Sequence, residues 1–171
     1  MNSGIVSYII HEMKNCVLFL ALAFASCFAA DNPPLLMGGV GLFDIGGKTQ
    51  GSAQLEYRGG HAFYHIHTMA GVTFTTNEAF LGYLGLAYDI GLGEKYKLTP
   101  SAAVGGYSRG NGQNLGSFIQ FRPAIELTRV YSNRIRLGLQ YSYLTNFGTA
   151  HPNPGVNNLV FLFGVPLNFI L

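Results

Sequence analysis

Two stretches near the end of the chain alternate between unlike side chains with a period of two, and this constrains the fold more than any other feature. From 134 to 147 the odd positions are Ile135, Leu137, Leu139, Tyr141, Tyr143, Thr145 and Phe147. The even positions are Arg134, Arg136, Gly138, Gln140, Ser142, Leu144 and Asn146. Successive side chains of a strand point to opposite faces, so one face is apolar and aromatic and the other mostly polar and basic. A polar turn, Phe147–Gly155, follows, and the alternation then resumes. Asn157, Leu159, Phe161, Phe163, Val165, Leu167 and Phe169 oppose Asn158, Val160, Leu162, Gly164, Pro166 and Asn168. Folded as a hairpin, the pair brings Tyr143, Thr145 and Asn157 to the turn end of the apolar face. Three polar-tipped residues on a greasy surface mark a candidate site.

The same period recurs upstream in six further segments: Leu35–Asp44, Thr49–Arg58, Phe63–Thr75, Phe80–Leu92, Lys95–Ser108 and Leu115–Arg129. In the second, Ala53, Leu55 and Tyr57 oppose Gln50, Ser52, Gln54, Glu56 and Arg58. The apolar set of the third is Tyr64, Ile66, Ala70, Val72 and Phe74. In the sixth, Ile119, Phe121, Ile125 and Leu127 oppose Gln120, Arg122 and Glu126. Eight long alternating segments fit tilted strands crossing a bilayer better than the shorter strands of soluble sheets.

Composition agrees. Charged residues make up 11% of the chain, against about a quarter in soluble domains, while Gly (23), Phe (13) and Tyr (10) are abundant. A net charge of only +2 gives no electrostatic footprint for nucleic acid. At the N-terminus, Lys14 precedes the apolar run Cys16–Ala25, then small residues and Asp31-Asn-Pro-Pro. This predicts a secretory signal over 1–30, cut after Ala29 or Ala30, with 1–12 as an upstream extension before Met13. A lipid-attachment site at Cys27 is the rival reading. Both cysteines fall in this stretch, so 31–171 is predicted to hold neither a disulfide nor a thiolate metal site.

The predicted fold is all-β, an eight-stranded antiparallel outer-membrane β-barrel over 31–171, closed because an open sheet edge in lipid leaves backbone groups unpaired. Short turns at Arg58–His61, Gly91–Glu94 and Val130–Asn133 fall on the periplasmic side. The longer Arg109–Asn114 and Phe147–Gly155 connections fall on the outer side. The polar faces then become the interior, where Glu56, Arg58, Asp89, Arg122, Glu126 and Arg136 meet Gln54, Gln120 and Gln140. An eight-stranded lumen is filled by such side chains, giving a plug and not a pore.

Gly39-Val-Gly-Leu-Phe-Asp44, Leu98-Thr-Pro100, Leu115–Arg122, Arg136-Leu-Gly-Leu139 and Asn153-Pro-Gly155 resemble the lipid A 3-O-deacylase (PagL) family, also called acyloxyacyl hydrolases, over nearly all of 31–171. The resemblance implies an outer-membrane barrel whose partner is lipid A, the anchor of lipopolysaccharide, bound at the lipid-facing surface. It implies no cofactor; a homodimer stays open. Catalysis in that family uses a His-x-Ser-Asn motif and a Glu after Asn-Pro-Gly. Ser attacks the ester, His takes its proton and Glu orients the imidazole. The matching positions here are Tyr143, Thr145, Asn146 and Asn157, so only Asn146 keeps its identity, and Gln120 stands where a Glu is expected. A phenol is protonated at neutral pH and makes a poor general base. An amide carries no charge with which to stabilise a cation. Two functional classes follow: a lipid A esterase with altered residues or substrate, and an inactive barrel serving lipopolysaccharide binding or envelope structure.

Other groups have plainer readings. His151 is a substitute base only if its loop folds back over Thr145, and otherwise a solvated loop residue. His65 and His67 share the i, i+2 spacing of a metal pair but have no third ligand nearby in sequence. Gly105-Gly106 and Gly110-Asn-Gly112 read as strand bends and a turn. Gly164–Phe169 partly resembles a barrel-assembly signal.

Overall fold

A computed structural model describes residues 33–63 and 65–169 of the 171. The predicted signal segment, both cysteines, Tyr64 and the last two residues lie outside the described part. The strands are β1 (Leu35–Phe43), β2 (Gln50–Phe63), β3 (Ile66–Thr75), β4 (Phe80–Tyr88), β5 (Ile90–Leu92), β6 (Tyr96–Ser108), β7 (Ile119–Val130), β8 (Arg136–Leu144) and β9 (Val156–Pro166). β4 and β5 are two parts of one stave, interrupted at Asp89, and both pair with β6. Every pairing is antiparallel, and β1 joins both β2 and β9, so eight staves close on themselves.

Alternation places the side chains as the sequence predicts. Along β7, Ile119, Phe121, Ile125 and Leu127 are exposed on the outside, while Gln120, Arg122, Glu126 and Thr128 are buried within. The outward band continues through Val40, Leu55, Leu84, Leu86, Leu139 and Phe161. Aromatic residues gather at both rims, Tyr88, Tyr96 and Tyr131 at one and Phe74, Phe80, Phe118 and Phe147 at the other. That is the profile of a hydrocarbon-facing wall between two interfaces.

Inside, the expected charges form ion pairs except Arg122, which is held by amides and an aromatic ring. Arg58 donates to both oxygens of Glu126 (3.1 and 2.5 Å) and to Glu56 (2.7 Å). The Tyr83 hydroxyl donates to Glu56 at 2.7 Å, and the Arg122 guanidinium lies 4.5 Å from the centre of the Tyr83 ring. Gln140 accepts from Arg122 (2.6 Å) and Gln54 (3.1 Å) and donates to Glu126 (3.3 Å). Nearer the short-turn end, Asp89 accepts from Arg136 (2.8 Å), Lys97 (2.9 Å) and Thr99 (2.8 Å). Towards the long-loop end Phe43, Ala79, Leu81, Tyr107, Leu115, Leu144 and Val156 form an apolar cap. A small cavity of about 10 Å³ lies between this cap and the charges, lined by Phe43, Leu81, Gln54 and Arg122 among others.

Several boundaries differ from the sequence reading, each for a local reason. β2 runs on to Phe63 through register shifts after Arg58, so the chain reverses around residue 65 and not over Arg58–His61, and β3 starts at Ile66. β7 starts at Ile119 and not at Leu115, because Leu115 turns into the lumen cap and Gly116 takes a positive φ of 75°. β9 ends at Pro166, where a 3-10 turn, Leu167–Phe169, replaces the expected strand. The connection between β7 and β8 likewise extends to Ile135, with Arg134 left-handed at φ 63°.

Candidate functional site

Tyr143 on β8 and Asn157 on β9 are direct cross-strand partners. Both are half-buried and share the outward face with the exposed Tyr141 and Leu159. The Tyr141 hydroxyl donates to Asn157 Oδ1 at 2.5 Å. With Oδ1 taken by this bond, the Asn157 N–H₂ has no hydrogen-bond partner among the described residues. Tyr143 leans along the wall over Gly155: a Cβ there would collide with the Tyr143 hydroxyl, and Gly155 also has φ 69°. Glycine meets both demands at once.

Thr145 lies one step beyond β8, in a bridge to Phe121 (N to O 3.0 and 2.8 Å) that puts it on the outward side with Phe121. It is nevertheless only 5% exposed. The 147–155 loop folds over it, and Asn153 clamps it: Asn153 Nδ2 donates to Thr145 Oγ1 at 3.1 Å, and Asn153 Oδ1 accepts from Asn146 N at 3.2 Å. Phe147 N also donates to Thr145 Oγ1, at 3.0 Å. The Phe147 ring, 68% exposed, rests against Phe121 with centroids 4.9 Å apart.

Asn146 is fully buried, and its side chain is occupied. Nδ2 donates to Leu115 O (2.8 Å) and Ala150 O (2.9 Å), and Oδ1 accepts from Gly148 N (2.8 Å). Both amide hydrogens tie the two long outer loops together, so neither is available to a reacting oxygen while the loops hold this arrangement. None of the hydrogen bonds at Tyr141, Tyr143, Thr145, Asn146 or Asn157 involves an imidazole or a carboxylate. Glu126, opposite Gln140 in the β7–β8 pairing, points to the other side of the wall and is spent on Arg58. His151 is exposed, and its backbone packs against Gly116.

The other histidines separate: His67 is buried in the lumen 3.2 Å from Asp89, whereas His65 is exposed in the turn beside Tyr88. Among the described residues no cluster of metal-ligating side chains occurs. Reading the three substituted positions alone missed Tyr141 and Asn153. Tyr141 was legible, since it falls on the same alternating face; Asn153 acts through a loop conformation that no periodicity encodes.

A family model for the lipid A 3-O-deacylases (PagL) matches residues 42–166, which spans β2 to β9 and the whole of this site. The chain belongs to the lipid A 3-O-deacylase (PagL) family. A crystal structure described as that of the outer membrane enzyme PagL superposes with a TM-score of 0.61 at 19% identity, covering 77% of this chain and 99% of that one. A de novo designed transmembrane β-barrel (TM-score 0.55, 9% identity, 80% of this chain and 97% of that one) shares the architecture. So does the Yersinia pestis outer membrane protein Ail (0.50, 11%, 79% and 99%). No curated protein sequence matches the chain. At these identities the solved structures establish the fold, a closed eight-stranded barrel, and the protein is one of the bacterial outer membrane.

Proposed function

We propose that this PagL-family barrel binds lipid A at the outward β8–β9 surface without hydrolysing it. The observation that carries the reading is the Tyr141–Asn157–Tyr143 arrangement. It offers hydrogen-bond donors on a lipid-facing wall, at the end bearing the long loops, with no base to take a proton. Amide and phenol donors suit the ester carbonyls, hydroxyls and phosphates of an acylated disaccharide. Exposed Phe121 and Phe147 beside them suit its acyl chains.

Thr145 supports the same reading. Its hydroxyl is held by Asn153 and by a backbone N–H, and lies under the loop. A neutral hydroxyl with no adjacent base is a weak nucleophile. Binding of lipid A to the refolded full chain tests the proposal. Asn157→Leu removes this N–H₂ and is expected to weaken lipid A binding about fivefold or more, the worth of one hydrogen bond to a charged or strongly polar partner. Equal affinity of the wild type and Asn157→Leu would refute a site at this surface.

A further inference from the structure

Charged side chains are absent from the outward faces of the described strands, with a single exception. Arg129, near the end of β7, continues the row Ile125 and Leu127 and is exposed like them. It sits at the rim with the short turns, opposite Tyr96 on β6 and Leu137 on β8. Its guanidinium lies 5.1 Å from the centre of the Tyr131 ring. Tyr96 and Tyr131 are themselves 46% and 40% exposed, so the arginine stands between two aromatic side chains that open outward. Among the described residues no carboxylate pairs with it, although Glu94 is exposed in the neighbouring turn.

An arginine on a lipid-facing wall is tolerated only where the hydrocarbon ends. Its fork of N–H donors matches phosphate oxygens, and its planar face stacks on aromatic rings, which a lysine does poorly. Two more exposed cations flank the position. Lys95 accepts a backbone bond from Val130 N at 2.7 Å, and Arg134 closes the turn by donating its N–H to Tyr131 O at 2.8 Å. Short turns mark the periplasmic side of such barrels. The anion at that depth is the phosphate of a periplasmic-leaflet phospholipid.

We propose that Arg129, with Tyr96 and Tyr131, forms a binding site for the headgroup of an anionic phospholipid of the periplasmic leaflet. This site is separate from the lipid A surface, which lies at the opposite rim. The guanidinium takes the phosphodiester, the two rings flank the glycerol, and the acyl chains run up the wall over Leu127 and Leu139.

The test uses the full chain refolded in bilayers, with spin-labelled phosphatidylglycerol and phosphatidylcholine competing for the boundary. The wild type is expected to prefer phosphatidylglycerol. R129Q should lower that preference about fivefold, the worth of one cation at an anionic surface. Y131L, which removes the stacking ring but keeps every charge, should lower it by a smaller factor. K48Q, at the opposite rim, should leave it unchanged, and heat-modifiable gel mobility verifies that each variant is folded. Absence of any preference in the wild type, or full preference in folded R129Q, would overturn the proposal. So would a loss of lipid A binding in R129Q with phosphatidylglycerol preference intact, because it would put Arg129 in the outer leaflet.

Discussion

At the scale of single residues, hydrogen-bond capacity decides what the β8–β9 surface can do. Asn146 spends both amide hydrogens on Leu115 and Ala150, so Asn146→Ala leaves two carbonyls under the loops without partners. An unpaired buried polar group costs about 1–3 kcal/mol. The variant should therefore lose stability on that scale and be clipped by protease in 109–118 or 145–155 at concentrations that spare the wild type. The three positions facing outward are coupled in a different way. Tyr143 and Asn157 are direct partners, and Thr145 follows Tyr143 by two residues on the same side. Histidine at 143 and glutamate at 157 would therefore adjoin, with serine at 145 one side-chain step along the strand. The triple variant Tyr143→His, Thr145→Ser, Asn157→Glu is expected to gain lipid A deacylation, while each single change gains none, since groups acting as a relay are idle alone. Mass spectra of lipid A after incubation with the four variants check this, and activity in any single variant would contradict the coupling.

At the scale of elements, the hairpin β8–β9 and its loop behave as one unit. Gly155 is its tightest point, carrying both a positive φ and the Tyr143 hydroxyl at contact. Gly155→Ala should strain the backbone and displace Tyr143, at a cost of roughly 1–3 kcal/mol. Its thermal unfolding in detergent should shift down, and lipid A binding should fall with it. The strands themselves were legible because one physical requirement, a greasy outside and a polar inside, is imposed on every second residue. Their ends were not. β2 outlasts its expected stop through register shifts near Gly59-Gly60, and β7 begins late because Leu115 is drawn into the lumen cap. Such ends are set by tertiary partners, His67 Nδ1 against Gly59 O (2.9 Å) being one, and leave no periodic trace. The same holds at the site. Parity gave the side of the wall on which Tyr143 and Asn157 sit, but the cover over Thr145 depends on how the 147–155 loop folds.

At the scale of the whole molecule, the barrel is a lipid-facing shell around a neutralised polar plug. Glu56, Arg58 and Glu126 are almost wholly buried and satisfied mainly by one another. Arg58→Ala would strand two carboxylates inside the wall, and removing one partner of a buried ion pair costs about 3–5 kcal/mol. Urea unfolding of the refolded barrel should move to correspondingly lower concentration, whereas a rim change such as Arg129→Gln should leave the midpoint in place. This plug and the grease outside account for the fold, and the family's barrel is retained in full. On the proposed reading its proton relay is not, because Tyr143, Thr145 and Asn157 supply a phenol, a secondary hydroxyl and an amide, none of which takes a proton at neutral pH. The most direct measurement is mass spectrometry of lipid A from outer membranes that contain this protein. Unchanged acylation at position 3 is the predicted result. Loss of that acyl chain, abolished by Thr145→Ala, would contradict the account and make Thr145 a working nucleophile.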